Sequence, residues 1–300
     1  MTSKEWENRV AYLGPKGTFT HLAALELFQN DWLFPFRTIP ECIEAVAEDQ
    51  VDLAIVPLEN ALEGTVPLTI DYLYHEVNLY VVGEILSPIE QHLMVHKKQV
   101  ENWENIHGVY SHPHAIAQCH KYLYYQFRGV PLHQATSTAA AAKFVSEHPD
   151  DCIAAIGNLA AAKAYDLEIV QRGIHDFHFN HTRFVVLSKK NQRIELAERE
   201  AQIKTTLMVE LPDDRSGALH QILSVFAWRK INLSKIESRP LKTGLGNYFF
   251  ILDVLEDENA PMMKGAMEEL AALGCSVKTL GSYYTYKQHS KQQTKKVSNS

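Results

Sequence analysis

The sequence holds no run of about 18 apolar residues, so no segment of it is expected to cross a bilayer as a helix. Its opening stretch, MTSKEWENRV, lacks the apolar core of a secretory leader, and a cytoplasmic setting is expected. Cysteine is scarce. Cys42, Cys119, Cys152 and Cys275 form no CxxC pair and lie far apart. That argues against a disulfide scaffold and fits free thiols in a reducing compartment. Excess positive charge is missing too: 29 lysines and arginines face 36 acids, for a net charge of -7. The closing stretch KQHSKQQTKKVSNS supplies four of those lysines and no acid, leaving 25 bases against 36 acids, near -11. An acidic body does not suit a phosphate backbone, so no nucleic-acid partner is expected. Residues 288–300 read as a disordered tail. There is no internal repeat, no P-loop, no dinucleotide fingerprint and no GxSxG.

What is present is an ordinary soluble balance, 46% hydrophobic and 22% charged over 300 residues, enough for two domains. Over residues 1–190 short apolar runs alternate with amphipathic stretches. RVAYLG, VDLAIVPLEN, NLYVVGEIL, QHLMVH, IHGVYSH, VPLHQA, DCIAAIG and LEIVQ read as strands. GTFTHLAALELFQ, capped by Thr18 or Thr20, PECIEAVAEDQ, TVPLTIDYLYH, PHAIAQCHKYLYYQF, STAAAAKFVSEH and NLAAAKAY read as helices. Such alternation predicts βαβ units on mainly parallel sheets, with ligands at the carboxyl ends of strands. Residues 191–202 read as a polar linker. Residues 203–287 read βαββαβ, a ferredoxin-like α+β unit.

Polar turns follow the predicted strands. GPKGTF sets two glycines and Lys16 where a strand meets a helix, either a tight turn or a cradle for an anion. PLENALEGT crowds Glu59 and Asn60 into one turn. SHPHAIAQC places Ser111 at a helix start, with Gln118 two turns on. In ATST the hydroxyls of Thr136, Ser137 and Thr138 are candidates for capping. NHTRF leads into the strand VVLS. His112 with His114, and His175, His178 and His181, have metal-like spacings, but 15 histidines make chance clusters ordinary, and no metal or cofactor is expected. Hydroxyls, amides, Lys and Arg together suit a small hydroxylated dianion.

YLGPKGTFTHLAA, VPLENALEGTV, SHPHAIAQC, STAAAA, NHTRF, GALHQIL and ESRP, in that order, resemble the monofunctional prephenate dehydratases with a C-terminal ACT domain. The likeness covers about residues 8–287. It departs from common family patterns at Ala61, His114 and Ser216. It implies an α/β, two-lobed, periplasmic-binding-protein-like catalytic domain followed by the ACT unit. It implies loss of water and carbon dioxide from prephenate to give phenylpyruvate, feedback by L-phenylalanine, and a homodimer or a tetramer of two dimers.

Carried onto this sequence, the resemblance makes Thr182 catalytic, with Asn60, Ser111 and Gln118 beside it. Lys16, Glu59, Thr138 and Arg183 are expected to bind substrate, although Arg183 can equally brace its loop. Gly217, Ala218, Leu219 and His220, with Glu237, Ser238, Arg239 and Pro240, are expected to border the phenylalanine site. Two rivals stay open: a non-enzymatic sensor with the same cleft, and a metal hydrolase.

Overall fold

The buried apolar runs become strands because alternate or continuous burial of Val, Ile, Leu and Ala suits pleated backbone. The structure is a computed structural model and describes residues 8–29, 31–195, 202–212, 215–241 and 248–288. Most of the expected linker and the expected tail, residues 196–201 and 289–300, lie outside the described residues.

The chain begins β1 (Arg9–Leu13), α1 (Phe19–Leu27), β2 (Trp32–Phe36), α2 (Ile39–Ala47), β3 (Leu53–Asn60) and β4 (Gly64–Thr65). β1 pairs in parallel with both β2 and β3, and β4 folds back on β3 with Asn60 opposite Gly64. β2 is not among the strands expected above. Its WLFPF contains Pro35, which a sheet tolerates at its edge, and β2 is an edge strand. Thr18, not Thr20, caps α1, accepting the His21 N–H at 3.2 Å.

TVPLTIDYLYH splits into α3 (Pro67–Asp71) and a π-turn, Tyr72–Glu76. Then come β5 (Tyr80–Pro88), β6 (His92–His96), β7 (Val109–Ser111), α4 (Pro113–Gln118), α5 (His120–Gln126), β8 (Leu132–Gln134), α6 (Thr138–Glu147), β9 (Ala154–Gly157), α7 (Leu159–Ala164) and β10 (Leu167–Gln171). A second sheet runs β10-β6-β9-β7-β8, parallel where β7 meets β8 and β9 and antiparallel around β6. Leu93, Val95, Ile156 and Leu123 pack on one of its faces, and Met94, Ala155, Ala142 and Val145 pack together in a separate cluster. The strand β11 (His181–Ser188) flanks β3 and begins inside the NHTRF motif.

β12 (Ile203–Glu210), α8 (Ala218–Trp228), β13 (Leu233–Pro240), β14 (Tyr248–Val254), α9 (Pro261–Ala272) and β15 (Ser276–Lys287) follow. Their order across the sheet, β13-β14-β12-β15, with antiparallel pairing, is the ferredoxin-like arrangement. Ile222, Phe226, Met263 and Leu270 of the two helices pack with Leu207, Val209 and Leu252 of the strands.

Two compact units result, and they do not divide where the sequence rhythm changes. Among the described residues, the first holds 8–69, 86–184 and 287–288; the second holds 70–85, 185–195 and 202–286. The segment 70–85 thus belongs with the ferredoxin-like strands. β5 lies beside β15 there, and Gly281 is required, because a Cβ at that position would collide with the Val81 carbonyl. Within this unit the Tyr74 ring stacks on Phe249 at 4.0 Å, and Lys278 donates to the carbonyls of Leu73 and Val77 at 2.6 and 3.0 Å. Among the described residues no helix is long and apolar enough to cross a membrane.

Candidate active site

Thr182 lies second in β11, 8% exposed, on the wall of a cavity of about 310 Å³ within the first unit. The β3–β4 turn holds it. Asn60 Nδ2 donates to Thr182 Oγ1 at 2.9 Å and to Asn180 Oδ1 at 3.0 Å. Asn60 Oδ1 accepts the N–H groups of Leu62 and Glu63 at 3.0 and 3.2 Å. Both ends of the Asn60 amide are therefore occupied by the protein. Thr182 Oγ1 acts as an acceptor toward Asn60, so its own proton is left to be given elsewhere.

Three helices open onto this cavity with their first turns: Thr18–Thr20 at α1, His112–Ala115 at α4, and Thr136–Thr138 at α6. Each contributes the positive end of its backbone dipole. Ser137 caps α6 by accepting the Ala140 N–H at 2.9 Å, and His112, not Ser111, caps α4. Gln118, the last residue of α4, lines the cavity beside Gln91, whose Nε2 points to Gln118 Oε1 at 3.4 Å. Thr138 also lines it. Phe19, Ile89 and Phe184 supply an apolar floor suited to a ring.

At the mouth, His114 Nδ1 meets Glu63 Oε2 at 2.7 Å, joining α4 to the β3–β4 turn. Both also line an adjoining hollow of about 770 Å³, with Gly64 and Phe177. Burial and the neighbouring His114 charge hold the His112 imidazole below its ordinary value, against an opposing pull from Glu63.

Other expected residues stand elsewhere. Ser111 is fully buried as the last residue of β7, and its Oγ donates to the Ile156 carbonyl at 2.7 Å. It does not line the cavity, because a serine in a sealed strand satisfies its hydroxyl on the neighbouring backbone. Lys16 lines a separate cavity of about 930 Å³, with Lys163 and His92. The turn that carries it is not an open anion cradle. The Gly17 N–H is bonded to His21 Nδ1 at 3.1 Å, and the Gly17 carbonyl accepts from Asn158 at 2.9 Å. Gly17 is needed for its φ of +88° and for its approach to Ala161, where a Cβ would sit 3.0 Å away. Arg183 Nη1 is paired with Glu59 Oε2 at 2.8 Å, which braces β11 against β3 and leaves neither on the cavity wall. Among the described residues no lysine or arginine lines the Thr182 cavity. Helix ends, and not the expected cations, turn their positive poles toward it. Among the described residues no three His, Cys, Asp or Glu side chains gather as a metal site.

Asn180 and Gln91 were not picked out for a role by sequence. The only signal was Asn180's place at the head of the NHTRF run; Gln91 reads as part of an ordinary strand start.

The chain matches the prephenate dehydratase family over residues 10–192 and the ACT domain over residues 205–274. It is 56% identical over 282 residues to a prephenate dehydratase of Bacillus subtilis, covering 93% of this chain and 99% of that one. It is similar to the structure of a prephenate dehydratase from Arthrobacter aurescens in complex with L-Phe, with TM-score 0.80 and 32% identity over 92% of this chain and 89% of that chain. A structure described as GqqA, a novel type of quorum quenching acylase, is also similar, with TM-score 0.79 and 27% identity over 92% of this chain and 98% of that chain. Family matches across both parts of the chain, with 56% identity along nearly the full length of such an enzyme, carry the conclusion: this chain belongs to the prephenate dehydratase family and bears a C-terminal ACT domain.

Proposed function

We propose that the protein converts prephenate to phenylpyruvate, water and carbon dioxide in the Thr182 cavity. The substrate carries two carboxylates, and one is lost as neutral carbon dioxide. Its ring hydroxyl leaves as water, so one proton must reach that oxygen. A tight cation on the departing carboxylate would oppose the reaction, since its charge disappears. Helix ends offer a softer field, and this suits a wall without lysine or arginine.

One observation carries the reading: the 2.9 Å hydrogen bond from Asn60 Nδ2 to Thr182 Oγ1 on the cavity wall. With Oγ1 accepting there, the Thr182 O–H is directed as a donor. A threonine is too weak an acid to give up its proton freely. It donates a hydrogen bond to the leaving oxygen or relays a proton, while positioning and fixed dipoles lower the barrier. Gln118 and Thr138 orient substrate oxygens; Asn60 orients Thr182. The Ser111 hydroxyl, bonded to a carbonyl, acts only by shaping β7. An acylase-type reading would need a hydroxyl poised against a general base, and neither Ser111 nor Thr182 has that partner among the described residues.

Thr182→Ala is expected to lower kcat by more than about tenfold, roughly 1.4 kcal/mol of barrier, with phenylpyruvate followed by its absorbance in alkali. Thr182→Ser is expected to keep most of the rate. An alanine variant within about tenfold of the parent rules out the central role of this hydroxyl.

Phenylalanine is the effector in this reading, bordered by Gly217, Ala218, Leu219 and His220 and by Glu237, Ser238, Arg239 and Pro240. Support comes from the L-Phe complex of the Arthrobacter relative. Gly217, with φ +85°, is the left-handed residue that starts α8. The setting is cytoplasmic and the assembly a homodimer or a tetramer of two dimers, which light scattering distinguishes.

A further inference from the structure

Asn180 has no part in the reaction as set out above. It is 3% exposed and does not line the cavity. Its Oδ1 accepts one hydrogen of the Asn60 amide at 3.0 Å, and the other hydrogen of that amide goes to Thr182 at 2.9 Å. Its own Nδ2 is buried with no hydrogen-bond partner among the described residues.

An amide side chain can be turned end for end, and only one arrangement here satisfies its neighbours. Asn60 Oδ1 is taken by the Leu62 and Glu63 N–H groups, so the Asn60 NH₂ must face Asn180 and Thr182. Asn180 must then present oxygen. Turning it over would set two donors against each other across 3.0 Å. Leaving its Nδ2 unbonded is unfavourable, and that is what presenting Oδ1 entails. The backbone does not need this side chain to hold its course. The Asn180 carbonyl accepts the Ile89 N–H at 2.9 Å, and the His181 carbonyl accepts the Ala61 N–H at 2.9 Å.

We propose that Asn180 is a positioning residue: its Oδ1 fixes the Asn60 amide, and through it aims the Thr182 O–H into the cavity. This rests on the reading of Thr182 given above. Without an acceptor at position 180 one hydrogen of the Asn60 amide keeps only the His181 carbonyl at 3.4 Å, so the amide is held mainly from its oxygen end and aims the Thr182 O–H less firmly.

The role requires only an acceptor, so a carboxyl oxygen can fill it. Asn180→Asp is expected to keep kcat within about threefold of the parent, while Asn180→Leu and Asn180→Ala lose about tenfold or more in kcat with KM within about twofold. In the Asn60→Ala background, removing the Asn180 side chain is expected to cost nothing further, because residues acting as one unit are not additive. Three results would overturn the proposal: an aspartate variant as slow as the leucine one, an alanine or leucine variant as fast as the parent, or losses at 60 and 180 that multiply. Thermal melting identifies a variant that does not fold; the aspartate variant and the double-variant cycle with alanine then decide. A parent protein that forms no phenylpyruvate overturns the reading of the reaction itself, a result distinct from an active parent with a slow aspartate variant.

Discussion

His92 is 3% exposed, and its Nδ1 accepts the Gly173 N–H at 3.0 Å. Burial first, then the positive charges of Arg172 and His175, push it down to about 4 from an ordinary 6.5. Glu90 Oε2, 3.9 Å from Nε2, favours the charged ring but does not outweigh burial. The unfolded chain takes a proton near 6.5 and the folded chain only near 4. Between those values the unfolded state binds more protons, so stability falls as pH drops through that window and is full above it. The loss is on the order of 3 kcal/mol once pH is below 4. Melting curves at pH 7 and 4.5 are expected to show a larger drop for the parent than for His92→Gln; equal drops would dismiss the assignment. Thr182 and Ser111 make the opposite contrast at this scale. Both are hydroxyls at strand ends in recognisable motifs. One opens on a cavity and the other is sealed against Ile156, and nothing in their local sequence separates them.

At the scale of elements, α3 and the π-turn after it show what a short helical segment can be asked to do. Pro67 borders the hollow beside the candidate site, and four residues later Asp71 Oδ1 pairs with Arg239 Nη2 at 3.3 Å. Arg239 lies on β13 in ESRP, the stretch assigned to the effector. The Tyr74 hydroxyl donates to Glu210 at 3.2 Å, and its ring rests on Phe249. On the proposal that phenylalanine binds beside ESRP, effector and segment would meet at the same guanidinium. Asp71→Asn is expected to leave basal turnover unchanged and to shift the phenylalanine concentration for half inhibition by about threefold or more, the range of a modest coupling energy. An unshifted inhibition curve would remove this segment from the route.

For the whole molecule, the grouping of 70–85 with the ferredoxin-like strands changes what a truncation would do. Cutting at residue 202 takes away β12, β14 and β15. With them go the partners of Tyr74, the Lys278 donor that covers the end of the π-turn, and Lys204, which pairs with the buried Glu84 at 2.8 Å. Glu84 also loses Thr285, which donates to it at 3.1 Å, so β5 loses both its neighbouring strand β15 and the partners of its carboxylate. The shortened chain is thus expected to melt well below the parent and to exchange amide hydrogens rapidly over 70–85, and not to survive as a fully active, merely unregulated enzyme. A shortened chain with the parent's melting point would show that 70–85 does not depend on those strands.

The order of strands and helices was legible because apolar spacing and caps act locally: Pro40 and Pro113 open helices, and runs such as LAIV and FVVL are strands. β2 was not, since Pro35 reads against a strand until edge placement excuses it. Motif order alone also carried the family. What the sequence could not rank was which polar side chains face one cavity. Thr182, Asn60, Gln118 and Thr138 do, while Glu59, Arg183 and Ser111 turn to other partners and Lys16 to a separate cavity. The reason is that a side chain's direction and its hydrogen-bond partner are set by residues a hundred or more positions away, as Asn60, Asn180 and Thr182 show. Local sequence dictates backbone, and only tertiary packing decides where each donor and acceptor is spent.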